Sequence, residues 1–178
     1  MDINLLVNLT SRAWSLKILA LLHTGVAGRQ APLLAATAAG RTSFGASLQH
    51  LIELQLLERN PGHGHPLRPE FRLTVKGAHY AKIAHDIVAL APGEKAFALL
   101  RKNWTVPILS VTHSPKLFGQ IKHDLGAITD RSLSLALKQM EIHSWIKREV
   151  DVTSRPLRAT YSAANLGQSV SKIVNMAA

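Results

Sequence analysis

The chain has 178 residues, 47% of them apolar, and carries 21 Lys and Arg against 11 Asp and Glu for a net charge of +10. That apolar share supports a packed core and argues against a disordered chain, while the positive field favours a polyanionic partner such as nucleic acid or an anionic membrane surface. The absence of cysteine removes disulfides, thiolate catalysis and cysteine-based metal or redox sensing, and points to a cytosolic compartment.

The N-terminal Met1-Asp2-Ile3-Asn4-Leu5 lacks the basic flank and long apolar run of a signal peptide, and no apolar stretch approaches the roughly 20 residues of a membrane span. The expectation is a cytoplasmic, nucleoid-associated protein without a membrane partner. Nine basic and five acidic residues precede Ala91, and twelve and six follow from it, so both halves are basic.

In chain order, apolar periodicity predicts helices over residues 12–22, 32–38 and 43–54, with a turn at Gly40 before the third. Strands are expected over 57–60 and 70–73, then a helix over 75–90 capped by Thr74. Ala91-Pro92-Gly93 marks a stop and a boundary. Beyond it a helix starts at Asn103 or Trp104, since Pro107 is tolerable only near a first turn. Ser114-Pro115 opens the next helix, over 116–125, which Gly126 ends. Thr129 then caps a helix over 130–142, where Leu133, Ala136, Leu137 and Met140 form the buried stripe and Arg131, Ser134, Leu135 and Lys138 face out. Residues 145–150 and 159–161 read as the two strands of a wing, and 167–174 resume a helical pattern.

These elements repeat. Trp14, Ile18 and Leu19 match Trp104, Ile108 and Leu109 at a shift of 90, as do Pro66-Leu67-Arg68 with Pro156-Leu157-Arg158, Phe71 with Tyr161, Gly77 with Gly167, and Lys82-Ile83 with Lys172-Ile173. Between these anchors Ser43, Leu48 and Arg59 fall opposite Ser132, Leu137 and Arg148 at a shift of 89, as a one-residue loop indel would produce. The expected fold is mainly α with small β wings, in two tandem winged helix-turn-helix domains over residues 1–91 and 92–178.

The second repeat resembles the HxlR group of bacterial and archaeal winged-helix regulators, within the broader MarR-like class. The residues that carry the resemblance are Lys102-Asn103-Trp104-Thr105, Leu117-Phe118-Gly119-Gln120-Ile121, Ile128-Thr129-Asp130-Arg131-Ser132-Leu133, Leu137-Lys138-Gln139-Met140-Glu141, and Arg155-Pro156 leading to Tyr161-Ser162. The resemblance implies a DNA-binding transcriptional regulator. Members of that group usually carry one winged helix and act as homodimers, whereas this chain reads as a fused pair able to act as its own pseudo-dimer. The thiol or aldehyde sensing of some relatives does not carry over to a chain without cysteine. Ala164 stands where the group commonly has a capping Thr.

A helix in the major groove reads base edges with outward side chains near its N-terminal end. On the helix over 130–142 and its cap those are Thr129, Arg131, Ser132, Ser134 and Lys138, with Arg131 the first choice for a base contact because Arg donates two hydrogen bonds to guanine. Arg155 and Arg158, with Arg68 and Arg72 in the first repeat, belong to the wings and would lie along the minor groove. Lys116 and Lys122 are expected on the phosphate backbone. The matching face of the first repeat, Thr42, Gly45, Ala46 and Gln49, with Arg41 just ahead of the helix and Ser43 as a further candidate contact, is sparse in charge. We therefore expect it to meet DNA mostly through Arg41, Thr42 and its wing, and the second repeat to supply more of the sequence reading. Gly45 either marks a close contact or is merely tolerated in a helix.

Other signals are weaker. His63-Gly64-His65 could ligate a metal only with a third ligand, and reads better as a hairpin tip. Trp14 and Trp104 read as core aromatics, with an effector pocket as the alternative. Asp124 and Asp130 fit loop and helix-start roles. No nucleophile elbow, phosphate-cradling glycine loop or dinucleotide fingerprint is present, so neither an enzyme nor a cofactor or metal is expected. Two alternatives to a sequence-specific regulator stay open: a winged-helix protein-interaction adaptor, and a sequence-independent chromatin or RNA-binding protein. The apolar terminal segments also admit a homodimer contact.

Overall fold

The computed structural model describes residues 2–60, 69–153, 155 and 157–176. In chain order the elements are α1 (Ile3–Thr10), α2 (Ser15–His23), α3 (Gln30–Thr37), α4 (Arg41–Glu53), β1 (Leu57–Asn60), β2 (Glu70–Leu73), α5 (Val75–Ala89), α6 (Glu94–Leu100), α7 (Thr105–Val111), β3 (Lys116–Leu117), α8 (Phe118–Leu125), α9 (Asp130–Ile142), β4 (Ile146–Asp151), β5 (Arg158–Ala163) and α10 (Asn165–Met176). They fall into two compact units, Arg12–Ala89 and a second made of Leu90–Ala178 together with Met1–Ser11.

In the unit Arg12–Ala89, α2 packs along α5, and α3 and α4 pack on α2. The core is Leu16, Ile18, Leu19, Leu33, Phe44, Leu48, Leu51, Leu56, Ile83 and Ile87, side chains that recur at helical spacing on one face of each helix. β1 and β2 form an antiparallel hairpin from Leu57↔Leu73 to Asn60↔Glu70, and Arg29 adds a single bridge to Glu70. Thr74 caps α5, its hydroxyl accepting from the Gly77 N–H at 2.9 Å and donating to the Gln55 carbonyl at 2.8 Å.

In the other unit α7 is flanked by α10, α1 and α8, and α9 leads into β4. The core comprises Leu6, Leu9, Val106, Ile108, Leu109, Ile121, Leu133, Leu137, Met140, Ile146, Val170 and Val174. The sheet has the order β3-β5-β4, all antiparallel, with β4 and β5 in register from Ile146↔Ala163 to Asp151↔Arg158. Thr129 caps α9 by accepting from the Ser132 N–H, and Gly126 ends α8 at φ +66, a left-handed conformation that glycine adopts without a Cβ penalty.

One expectation is corrected. Lys116 and Leu117 do not begin a helix; they form β3 against Tyr161 and Thr160 of β5, and the helix starts at Phe118, where the Gln120 side chain accepts from the Leu117 N–H at 2.8 Å. The boundaries expected at residues 1–91 and 92–178 differ from the observed grouping at the N-terminus. There Asp2 caps α1 and α1 joins α7, burying Leu6 and Leu9, while Thr10 Oγ1 donates to the Asn103 carbonyl at 2.8 Å. Helices α1 and α6 have no counterpart among the elements expected from the sequence.

Helices α4 and α9 close in the same way. Gln55 and Ser144 take φ of 58° and 59°, and the next residues, Leu56 and Trp145, donate back to the carbonyls of Leu51 and Met140, five positions earlier, at 3.0 and 2.8 Å. That is the hydrogen-bond pattern of a left-handed helix terminus.

Candidate nucleic-acid interface

The outward face of α9 is set by its buried one. Leu133, Leu137 and Met140 are 0–3% exposed, which leaves Arg131, Ser134, Leu135 and Lys138 in solvent, with Ala136 half-buried at the margin. None of Arg131, Ser134 and Lys138 has an ion pair among the described residues. Thr129 and Ser132 differ from them, because their hydroxyls face each other at 2.9 Å and Thr129 Oγ1 also accepts from the Ser132 N–H at 3.2 Å. Their polar atoms hold the helix start together, where the N-terminal N–H groups favour an anion.

The lysines expected on the backbone of DNA are engaged within the protein. Lys122 Nζ lies 2.8 Å from Asp130 Oδ1, joining α8 to the first residue of α9, and Lys116 Nζ lies 2.5 Å from Asp124 Oδ2. Asp124 and Asp130, which the sequence suggested only as loop and helix-start residues, are thus the partners that orient α8 against β3 and α9. Each pair is partly exposed, so its contribution is to alignment more than to stability.

The wing places Arg155 and Arg158 in solvent, Arg158 at the start of β5 opposite Asp151. Arg148 on β4 is exposed as well, whereas Lys147 pairs with Glu149 at 2.5 Å. The wing also exposes apolar side chains, with Val152 at 76% and Leu157 at 66%. Arg148 was legible in the sequence only as a repeat match; strand alternation would have put it on the face of the buried Ile146, and the strand is exposed on both faces beyond that residue.

In the other unit, α4 buries Phe44, Ser47, Leu48 and Leu51 and exposes Arg41, Thr42, Ser43, Ala46 and Gln49. Gln49 reaches Glu53 at 3.3 Å. Apart from its chain neighbours and the backbone of its own helix, no atom among the described residues lies within 4 Å of a Cβ built on Gly45, so no packing contact there requires that glycine. Arg72 is held by Glu70 at 2.7 Å. Arg68, His63 and His65 lie outside the described residues. Trp14 is buried and Trp104 half-buried at the starts of α2 and α7. No group of three or more His, Cys, Asp or Glu side chains placed to hold a metal occurs among the described residues, and no single helix there is long and apolar enough to cross a membrane.

The family model described as HxlR-like helix-turn-helix matches residues 99–178. An uncharacterized HTH-type transcriptional regulator of Bacillus subtilis, YvaP, is 30% identical over 82 residues, which span 46% of this chain and 75% of the relative. Among solved structures, the reduced form of the transcriptional regulator YodB from B. subtilis aligns with a TM-score of 0.41 at 26% identity, covering 46% of this chain and 80% of that one. A MarR-family transcriptional regulator from Porphyromonas gingivalis aligns with a TM-score of 0.43 at 24% identity, covering 48% and 83%.

Proposed function

We propose that this chain, which belongs to the HxlR-like helix-turn-helix family of transcriptional regulators, is a sequence-specific double-stranded DNA-binding regulator whose one polypeptide supplies two recognition helices and two wings, as a pseudo-dimer. Its relatives are regulators and not enzymes, and the chain acts by occupying DNA. The observation that carries the reading is the outward face of α9, where Arg131, Ser134 and Lys138 stand exposed and without ion pairs among the described residues, over a helix start whose N–H groups suit a phosphate.

Support for two tandem domains comes from the order that α2 to α5 share with α7 to α10, three helices, a hairpin and a closing helix, with β3 and α6 as additions in the second, and from the matching left-handed termini at Gln55 and Ser144. Two such helices address successive major grooves about 34 Å apart on a site of imperfect inverted symmetry. The symmetry is imperfect because the two faces differ: Thr42, Gly45, Ala46 and Gln49 stand where α9 has Arg131, Ser134, Leu135 and Lys138. In this reading Arg131, Ser134 and Lys138 read bases and phosphates, Arg155 and Arg158 track the minor groove, and Arg41, Thr42, Ser43 and Gln49 make the sparser contacts of the first domain. A homodimer through the terminal helices draws less support, since α1 and α10 already bury Leu6, Leu9, Val170 and Val174 inside their own unit.

The test is selection of bound duplexes from a randomised pool by the full chain at several salt concentrations. An enriched motif with two unequal half-sites is the expected result, lost at one half-site in Arg131→Ala. Steep salt dependence without enrichment would instead mark a sequence-independent binder, and no duplex binding an interaction adaptor. If Arg41→Ala abolished site preference while Arg131→Ala kept it, the division of labour would be reversed.

A further inference from the structure

Resting on α9 as a recognition helix, we infer that Leu135 is a specificity residue that reads the 5-methyl group of one thymine in the half-site contacted by α9. Leu135 sits two residues from each of the buried Leu133 and Leu137, roughly 200° around the helix from both, and is 54% exposed. It therefore contributes little to the core that fixes α9. Its neighbours on the same face are Arg131, four residues before it, and Lys138, three after it, positions that lie one turn away along a helix.

Two exposed cations without ion pairs among the described residues thus bracket an apolar side chain, and that composition selects the occupant. An apolar peptide or a second apolar surface would bring no charge to match Arg131 and Lys138, and an acidic peptide would meet the cations without the flat guanine edge that an Arg fork fits. Duplex DNA brings phosphates and guanine edges to the cations, and in the major groove each thymine presents a methyl group, the apolar feature that distinguishes it there. The other domain has Ala46 at the matching position, a side chain too short to cover a methyl to the same depth. The stronger methyl reading is accordingly expected in the α9 half-site.

Replacing thymine by deoxyuracil removes that methyl and leaves every hydrogen-bonding group in place. In a duplex selected by the full chain, each thymine is exchanged singly and affinity is measured for the unaltered chain, Leu135→Ala and Leu135→Met. One position in the α9 half-site should weaken binding by the unaltered chain about fourfold, the equivalent of about 0.8 kcal/mol for one buried carbon. Leu135→Ala should be insensitive at that position, and Leu135→Met, which keeps an apolar arm, should retain the sensitivity. Equal affinity for every uracil-substituted duplex, or methyl sensitivity that persists in Leu135→Ala, overturns the assignment. A methyl-blind chain whose motif still depends on Arg131 overturns Leu135 alone; a chain that enriches no motif overturns the recognition-helix reading with it.

Discussion

A Cβ placed on Gly167 would overlap the backbone carbonyl oxygen of Trp145, so α10 lies against the turn between α9 and β4 at the closest approach a backbone permits. Gly77 stands in the same relation to the Leu56 carbonyl in the other unit, and the N–H groups of Thr74 and Ala164 donate to those same two carbonyls at 3.1 and 2.9 Å. These contacts set α5 and α10 on the residues that lead from α4 into β1 and from α9 into β4, so a defect there is felt on both sides.

Gly167→Ala should destabilise its domain by about 1–3 kcal/mol, because neither the carbonyl nor α10 can withdraw without losing packing. Urea unfolding checks this, with Gly119→Ala as the control. Apart from its chain neighbours and the backbone of its own helix, no described atom lies within 4 Å of a Cβ built on Gly119, and alanine there should be neutral or slightly stabilising. An equal loss in both variants would show that the carbonyl contact is not the cause.

Much of this arrangement was legible in the sequence because it is local. The span of α9 follows from Thr129 at its start and a stripe of apolar residues, and β1 and β2 from short alternating runs between turn residues. Gly77 and Gly167 stood out as a repeat match, although the carbonyls they meet were invisible. What escaped depends on partners far along the chain. β3 has two residues and no period, and exists because β5 offers Thr160 and Tyr161. The left-handed residues at the ends of α4 and α9 are Gln55 and Ser144, neither carrying the glycine signal of a helix stop. Lys116 and Lys122 read as free cations until the fold brings Asp124 and Asp130 to them.

The N-terminal helix gives a second expectation. Leu6 is fully buried in the unit that contains α7 and α8, so Leu6→Ala should cost about 2–5 kcal/mol there. Hydrogen exchange resolves where the loss falls: amides of α7 and α8 should lose protection while those of α3 and α4 keep theirs. Protection lost first from α3 and α4 would contradict the placement of α1.

Thr129→Ala removes the hydroxyl that accepts from the Ser132 N–H, and loss of such a cap costs about 1 kcal/mol. For a domain of this size that corresponds to a fall in melting temperature of roughly 4–8 °C. Thr129→Ser keeps the acceptor and should melt close to the unaltered chain; a serine variant that melts with the alanine one would assign the effect to the lost methyl group.

The two kinds of cation around α9 separate by salt dependence. Each phosphate contact releases counterions and adds about one to the slope of log affinity against log salt. Arg158 is exposed and has no ion pair among the described residues, and Arg158→Ala should lower the slope by about one while weakening all duplexes alike. Lys122 is already neutralised by Asp130 at 2.8 Å, so Lys122→Ala should lower it by much less and act mainly by loosening α8 against α9. Asp130→Asn decides between the two roles. Freed from its carboxylate, Lys122 becomes available to a phosphate, and the slope should rise in that variant; a slope that stays constant would mean that Lys122 points away from DNA whatever its partner.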